Sequence, residues 1–259
     1  MPIIANPTLA RLRDGKLTLG FGVSRLRTAA TPALAKAAGY DWLFLDMEHG
    51  ALGFETVSEI CLAALGQGIT PMVRVYASAL DEGARALDNG AQGIVVPHVD
   101  TAEFAREVAA AFRFPPQGHR SWGGPAASYG FRLPGAEVAQ AEINREVLVV
   151  AMIETGRAVA NVDAIAAVPG IDCLFVGTND LCGDLGVPGQ YGHERVVDAY
   201  AAVTAACRRH GKFAGMGGVQ DEACAARYVG MGARFVQAGT DQQFLLAGAS
   251  ARAAFFAGL

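Results

Sequence analysis

Lysine is nearly missing from this chain: Lys16, Lys36 and Lys212 are the only three in 259 residues. Long apolar runs are missing too. No stretch reaches the roughly 20 unbroken apolar residues of a membrane span, and the first 20 residues are interrupted by Pro, Arg, Asp and Lys, unlike a secretory leader. The five cysteines (Cys61, Cys173, Cys182, Cys207 and Cys224) form no CxxC pair, which excludes a zinc finger and argues against a disulfide framework. Cys61, Cys207 and Cys224 fall in predicted helices, where small buried thiols are common. Charge is sparse, at 18% of residues, with a net value of −4. Neither nucleic acid nor an anionic membrane is therefore expected as a partner. These absences together predict a soluble, cytoplasmic protein.

Apolar residues, by contrast, make up 52% of the chain, and 32 residues are glycine. That is enough to bury a large α/β core with helices lying close on a sheet. Short apolar runs alternate with helical patterns from end to end, the signature of βα units around a parallel sheet. Strands are expected at Leu17–Val23, Trp42–Asp46, Pro71–Val75, Gly93–Pro97, Val147–Ile153, Asp172–Val176, Phe213–Met216 and Phe235–Ala238. Helices are expected at Thr31–Ala38, Phe54–Leu65, Ala79–Asn89, Ala102–Phe114, Ala158–Val168, Val196–His210 and Glu222–Met231. Gly39, Gly66, Gly90, Gly211 and Gly232 fit helix C-caps. The repeat predicts one domain over residues 1–259, a (β/α)8 TIM barrel, with an open parallel sheet as the alternative. Two connections are long: the stretch after Phe114, which suits a lid or subunit contact, and Thr178–Arg195.

In barrel enzymes the chemistry gathers on the loops that follow the strands. Here those loops carry Asp46-Met47-Glu48-His49-Gly50, Arg74, His98, Glu154-Thr155-Gly156 and Asn179-Asp180. Glu154 and Asp180 follow adjacent strands, whose ends stand about 5 Å apart. A carboxylate pair completed by water and substrate suits Mg2+, Mn2+ or a similar divalent ion. Capping of the helices behind them is the plain alternative. Lys16 and Lys212 precede strands, at the opposite end, and Lys36 lies within a helix, so no lysine is placed to form a Schiff base. Carbanion chemistry would then call for a metal. His49 suits proton transfer near neutral pH. Arg74 interrupts an apolar strand and would be costly to bury without an anion, either a substrate oxygen or a structural partner at Asp46 or Asp88. Asp88 could cap a helix or orient His49 from behind, and His98 could be no more than a rim histidine. His119, His193 and His210 carry no assignable role.

Several of these segments occur together in one known family. AGYDWLFLDMEHG, TPMVRV, ALDNGAQGIVVPHVDTAEFAR, FPPQGHRS and MIETGRAVANVDAIAAVPGIDCLFVGTNDL resemble the HpcH/HpaI aldolases, relatives of the citrate lyase β-chain, over about residues 19–243. The resemblance implies a barrel whose last helix packs on a neighbouring subunit, within a hexamer built as a trimer of dimers. It also implies metal-dependent aldol cleavage (with Mg2+, Mn2+ or Co2+) of a 4-hydroxy-2-oxo acid to pyruvate or hydroxypyruvate and an aldehyde. By motif, Glu154 and Asp180 would be the metal ligands and Arg74 would hold the 2-oxo acid. His49 would be the acid–base group supported by Asp88, and amides around Asn179-Asp180 would receive the substrate carboxylate. Met152, Thr178 and Ser121 depart from the family pattern (which often has Gln, Pro and Gly there), and Trp122 lies in the loop expected to meet the aldehyde. Two other readings remain beside this one: a thioester-using enzyme of citrate-lyase or citrate-synthase type, and a barrel that binds 2-oxo acids without catalysis.

Overall fold

The computed structural model describes residues 2–124, 126–132 and 134–259. Eight parallel strands close in chain order: β1 (Thr18–Val23), β2 (Trp42–Asp46), β3 (Thr70–Arg74), β4 (Gly93–Val96), β5 (Leu148–Ile153), β6 (Cys173–Gly177), β7 (Phe213–Gly217) and β8 (Ala233–Thr240). Thr18 pairs with Phe235 to shut the ring. The barrel is thus closed, and the open-sheet alternative is discarded. Expected and observed strands agree in number and order, with ends that differ by a few residues.

Because side chains alternate across a strand, each βα unit feeds two cores. Leu43 and Leu45 point outward into the layer under the helices. Trp42 and Phe44 point inward, with Met72, Val95, Val150, Met152, Phe175 and Phe235. Trp42 stacks on Phe235 at 3.8 Å between ring centroids, and this needs a bare neighbour: a Cβ on Gly20 would collide with the indole. The bottom of the barrel is plugged by α1 (Pro7–Arg13), whose Leu9 and Leu12 complete the inner core. That helix was not expected, although Asn6 as N-cap and Pro7 in the first turn are its ordinary start signals.

Around the strands run α2 (Thr31–Ala37), α3 (Phe54–Gln67), α4 (Leu80–Asp88), α5 (Ala102–Phe112), α6 (Ala136–Glu146), α7 (Gly156–Ala160), α8 (Val162–Ala166), α9 (Thr178–Asp184), α10 (Glu194–His210), α11 (Glu222–Met231) and α12 (Asp241–Ala257). Three expectations need correction. Gly66 lies inside α3, and Gly68, at φ 63°, is the left-handed cap. The helix expected over Ala158–Val168 is broken at Asn161, whose side-chain amide donates to the Asp100 carbonyl. The two long connections also contain helices, α6 and α9, rather than loop alone. Among the described residues no helix is long and apolar enough to cross a membrane.

At the chain's end, α12 starts with a capping box between Thr240 and Gln243. Asp241 accepts hydrogen bonds from the amides of Ser24, Arg25 and Leu26. Beyond that anchor the helix is uncovered: Leu245 is 70% exposed, and Leu246, Phe255 and Phe256 are each more than half exposed.

Candidate active site

At the C-terminal mouth of the barrel, β2 ends on Asp46, which organises the turn after it. Its Oδ1 accepts the amides of Glu48 and His49 at 3.1 and 3.2 Å. This tight turn needs Gly50, where a Cβ would strike the Asp46 carbonyl. The turn divides its residues: the Glu48 side chain is buried, while the His49 side chain is 68% exposed, with Nε2 3.9 Å from Glu48.

Arg74, at the end of β3, is buried against these acids. Nε and Nη2 grip Asp46 at 2.9 and 2.7 Å, and Nη1 lies 3.1 Å from Glu48. Burial works to lower its pKa, but the hydrogen bond and charge of Asp46, with Glu48 and Glu154 behind, raise it overall. The structural ion pair with Asp46 therefore exists, and it occupies the two-pronged face of the guanidinium. Of five N–H groups, Asp46 takes one on Nε and one on Nη2; the others, beside Glu48, are left for a substrate.

Glu154 follows β5 and is 1% exposed. Burial raises its pKa to about 7, and Asp180 adds to the shift; the amide and ring of His98, and Arg74, oppose it. The His98 amide donates to Oε2 at 2.9 Å, an arrangement its unusual φ of 54° permits. Across from it, a Cβ on Gly177 would collide with Oε1. A carboxylate held this tightly, partly desolvated and facing a second carboxylate, is a group that a hard cation relieves. Glu154 and Asp180 thus fit a divalent ion bound by oxygen. Among the described residues no cluster of three or more His, Cys, Asp or Glu converges, so a bound ion would keep open positions for water and substrate.

Phe44, Asp46, His49, Arg74, Glu154 and Asn179-Asp180 line an open cavity of about 1000 Å³ that continues between the β7 and β8 loops towards α12. Asp88 and Trp122 do not line it. Asp88 pairs with Arg120 at 2.6 Å, and Trp122 packs edge-on against Phe114 at 5.4 Å. Among the described residues no hydrogen bond or ion pair joins Asp88 to His49. Of the remaining histidines, His193 caps α10 and His210 pairs with Asp163. The lysines are held far from the mouth, Lys36 on the Gly68 carbonyl and Lys212 on those of Val168 and Ile171. What the residue pattern did not single out is Glu48 and the glycines at 50 and 177. Glu48 stood in the acidic run after β2, but only the Asp46 turn shows which side chain of that run faces inward.

Residues 25–247 match the family model described as HpcH/HpaI aldolase/citrate lyase. This chain belongs to that family. It is 38% identical over 240 residues to a 4-hydroxy-4-methyl-2-oxoglutarate aldolase of Hapsidospora irregularis, covering 91% of this chain and 89% of that one. It is 37% identical to a 4-hydroxy-2-oxovalerate aldolase of Rhodococcus jostii, over 95% of this chain and 94% of the relative. Among solved structures, an HpcH/HpaI aldolase from Desulfitobacterium hafniense superposes with a TM-score of 0.89 at 29% identity, over 97% and 96% of the two chains.

Proposed function

We propose that this chain is a divalent-metal-dependent aldolase that reversibly cleaves a 4-hydroxy-2-oxo acid to pyruvate, or hydroxypyruvate, and an aldehyde. The observation that carries the reading is Glu154: a buried carboxyl raised to about 7, beside Asp180 and Arg74, at the mouth of the barrel. Glu154 and Asp180 would hold Mg2+, Mn2+ or Co2+. When bound, such an ion supplies Lewis-acid polarisation of the 2-oxo group.

The residues divide the remaining work. Arg74, kept rigid by Asp46 and Glu48, directs its remaining N–H groups at the substrate oxygen that gains charge during cleavage. The exposed Nε2 of His49 takes the proton of the C4 hydroxyl in cleavage and returns it in condensation. The amides at Asn179-Asp180 receive the substrate carboxylate. Among the described residues that line the cavity, Arg74 and His49 are the only basic ones, which supports a small 2-oxo acid over a coenzyme A thioester carrying several phosphates.

Asp88 and Trp122 sit apart from their own chain's His49, so their assignment to the acid–base pair and the aldehyde pocket requires a neighbouring copy. The uncovered apolar length of α12 supports the same assembly, a hexamer of three dimers with the last helix exchanged between subunits. The free cysteines suit a reducing, cytoplasmic setting. A time course of pyruvate methyl-proton exchange in D2O tests the central claim. Exchange should stop with chelator, return with Mg2+ or Mn2+, and leave no borohydride-trapped adduct on Lys16, Lys36 or Lys212; a lysine adduct would overturn it.

A further inference from the structure

The start of α9 is held by a chain of tyrosines that the proposed chemistry does not use. Thr178, fully buried, donates its hydroxyl to the Gly217 carbonyl at 2.6 Å. Its oxygen must then accept from the Tyr200 hydroxyl, 2.7 Å away. Tyr200, on α10, stacks face to face on Tyr228 of α11, with centroids 3.6 Å apart. The Tyr228 hydroxyl donates to the backbone carbonyl of Tyr191. Tyr191 in turn donates its own hydroxyl to Asn179 Oδ1 at 2.9 Å. The path leaves the helix start at residue 178 and returns to it at residue 179.

The last link has a chemical consequence. With Oδ1 accepting from Tyr191, the Asn179 amide is held with its nitrogen towards the cavity; a flip would let Nδ2 donate to the phenol oxygen but would turn an acceptor, Oδ1, against the substrate carboxylate. Its other end, Nδ2, makes no hydrogen bond among the described residues and lies beside Gly218, where a Cβ would come within 2.9 Å of it. Asn179 and Gly218 both line the cavity. The site therefore presents an oriented donor on the side where the substrate carboxylate is received.

We infer that Tyr191 is a positioning residue for 2-oxo acid binding: its hydroxyl fixes the Asn179 side chain so that Nδ2 donates to the carboxylate of the substrate. This rests on the aldolase reading proposed for the site. The bond is made to an oxygen whose charge does not change in the reaction, so it contributes to binding and leaves the chemical step nearly untouched.

The test is a double-mutant cycle on the Mg2+-loaded protein, read by pyruvate affinity in calorimetry and by the pyruvate dependence of methyl-proton exchange. Tyr191→Phe keeps the ring and its packing. It should weaken pyruvate binding and raise KM about tenfold, the size of one hydrogen bond to a charged group, with kcat within about threefold. Asn179→Ala should do the same. The double variant should be no worse than Asn179→Ala alone, because Tyr191 acts through Asn179. Wild-type affinity in Tyr191→Phe, or a double variant whose loss is the product of the two single losses, would overturn the inference while leaving an active wild type and the aldolase reading intact. A wild type that neither binds nor exchanges pyruvate would remove both.

Discussion

Replacing Asp46 by Asn separates the two duties of Arg74, structural partner and substrate contact. Asp46 takes Nε and Nη2 of Arg74 at 2.9 and 2.7 Å and, through Oδ1, the amides of Glu48 and His49. Asparagine keeps an oxygen in place of Oδ1, which serves the turn amides and Nε together, and turns an NH2 donor against Nη2 in place of Oδ2. The two side chains are only 12% and 10% exposed, so solvent offers little compensation. Losing one partner of a buried pair costs on the order of 3 kcal/mol, after some credit for the bond that survives. At roughly 2–4 °C per kcal/mol for a chain of this size, the thermal midpoint should fall by about 6–12 °C. Because Arg74 would also lose its aim, pyruvate exchange should fall by about 10²-fold, in line with loss of a fixed donor to developing charge. Calorimetric melting and exchange in D2O read the two effects separately. A lowered midpoint with wild-type exchange would show that Arg74 is a structural arginine only. An unchanged midpoint would refute the assignment of strength to the pair.

Three further outcomes are expected. His49→Ala should bind metal and pyruvate almost normally while cleavage falls by roughly 10²–10⁴-fold; exchange at the wild-type rate would limit His49 to the aldehyde-side hydroxyl. Trp122→Ala should reorder a panel of aldehydes and leave pyruvate affinity unchanged, and an unaltered ranking would place that pocket elsewhere. Burial alone would raise the pKa of Asp241, but the amides of Leu26, Arg25 and Gln242 and the Ser24 hydroxyl lower it overall. Its contribution to stability is then full above the unfolded value near 3.9 and is lost as pH falls through the lower folded value. Melting curves should show Asp241→Asn less stable than wild type at pH 7, with the gap closing below about pH 4. A gap that persists in acid would mean the carboxylate charge is not what holds the loop.

Much of the site could be read from strand ends because a βα repeat assigns an address to each residue. Glu154 and Asp180 follow consecutive strands, so chain order alone predicted that they would meet. The same logic placed all three lysines away from the mouth. Orientation was another matter. That Glu48 turns inward and His49 outward depends on the hydrogen bonds of Asp46, and that the arginine fork is already occupied depends on where two strand ends come to rest. Gly177 shows the limit clearly: its role is to be bare beside a carboxylate from the neighbouring strand, and no feature of its own segment shows that.

Periodicity and spacing settled eight βα units in chain order and favoured the barrel over an open sheet, and the scarcity of lysine pointed to a metal-assisted rather than an imine chemistry. These arise from interactions between residues close in the chain, or from simple repetition of them. Tertiary structure alone decided the plugging of the barrel by α1, the broken helix at Asn161 and the separation of Asp88 and Trp122 from their own His49. It also decided the tyrosine path that returns to Asn179. Each of these follows from how separate segments come to rest on the closed barrel rather than from local preference.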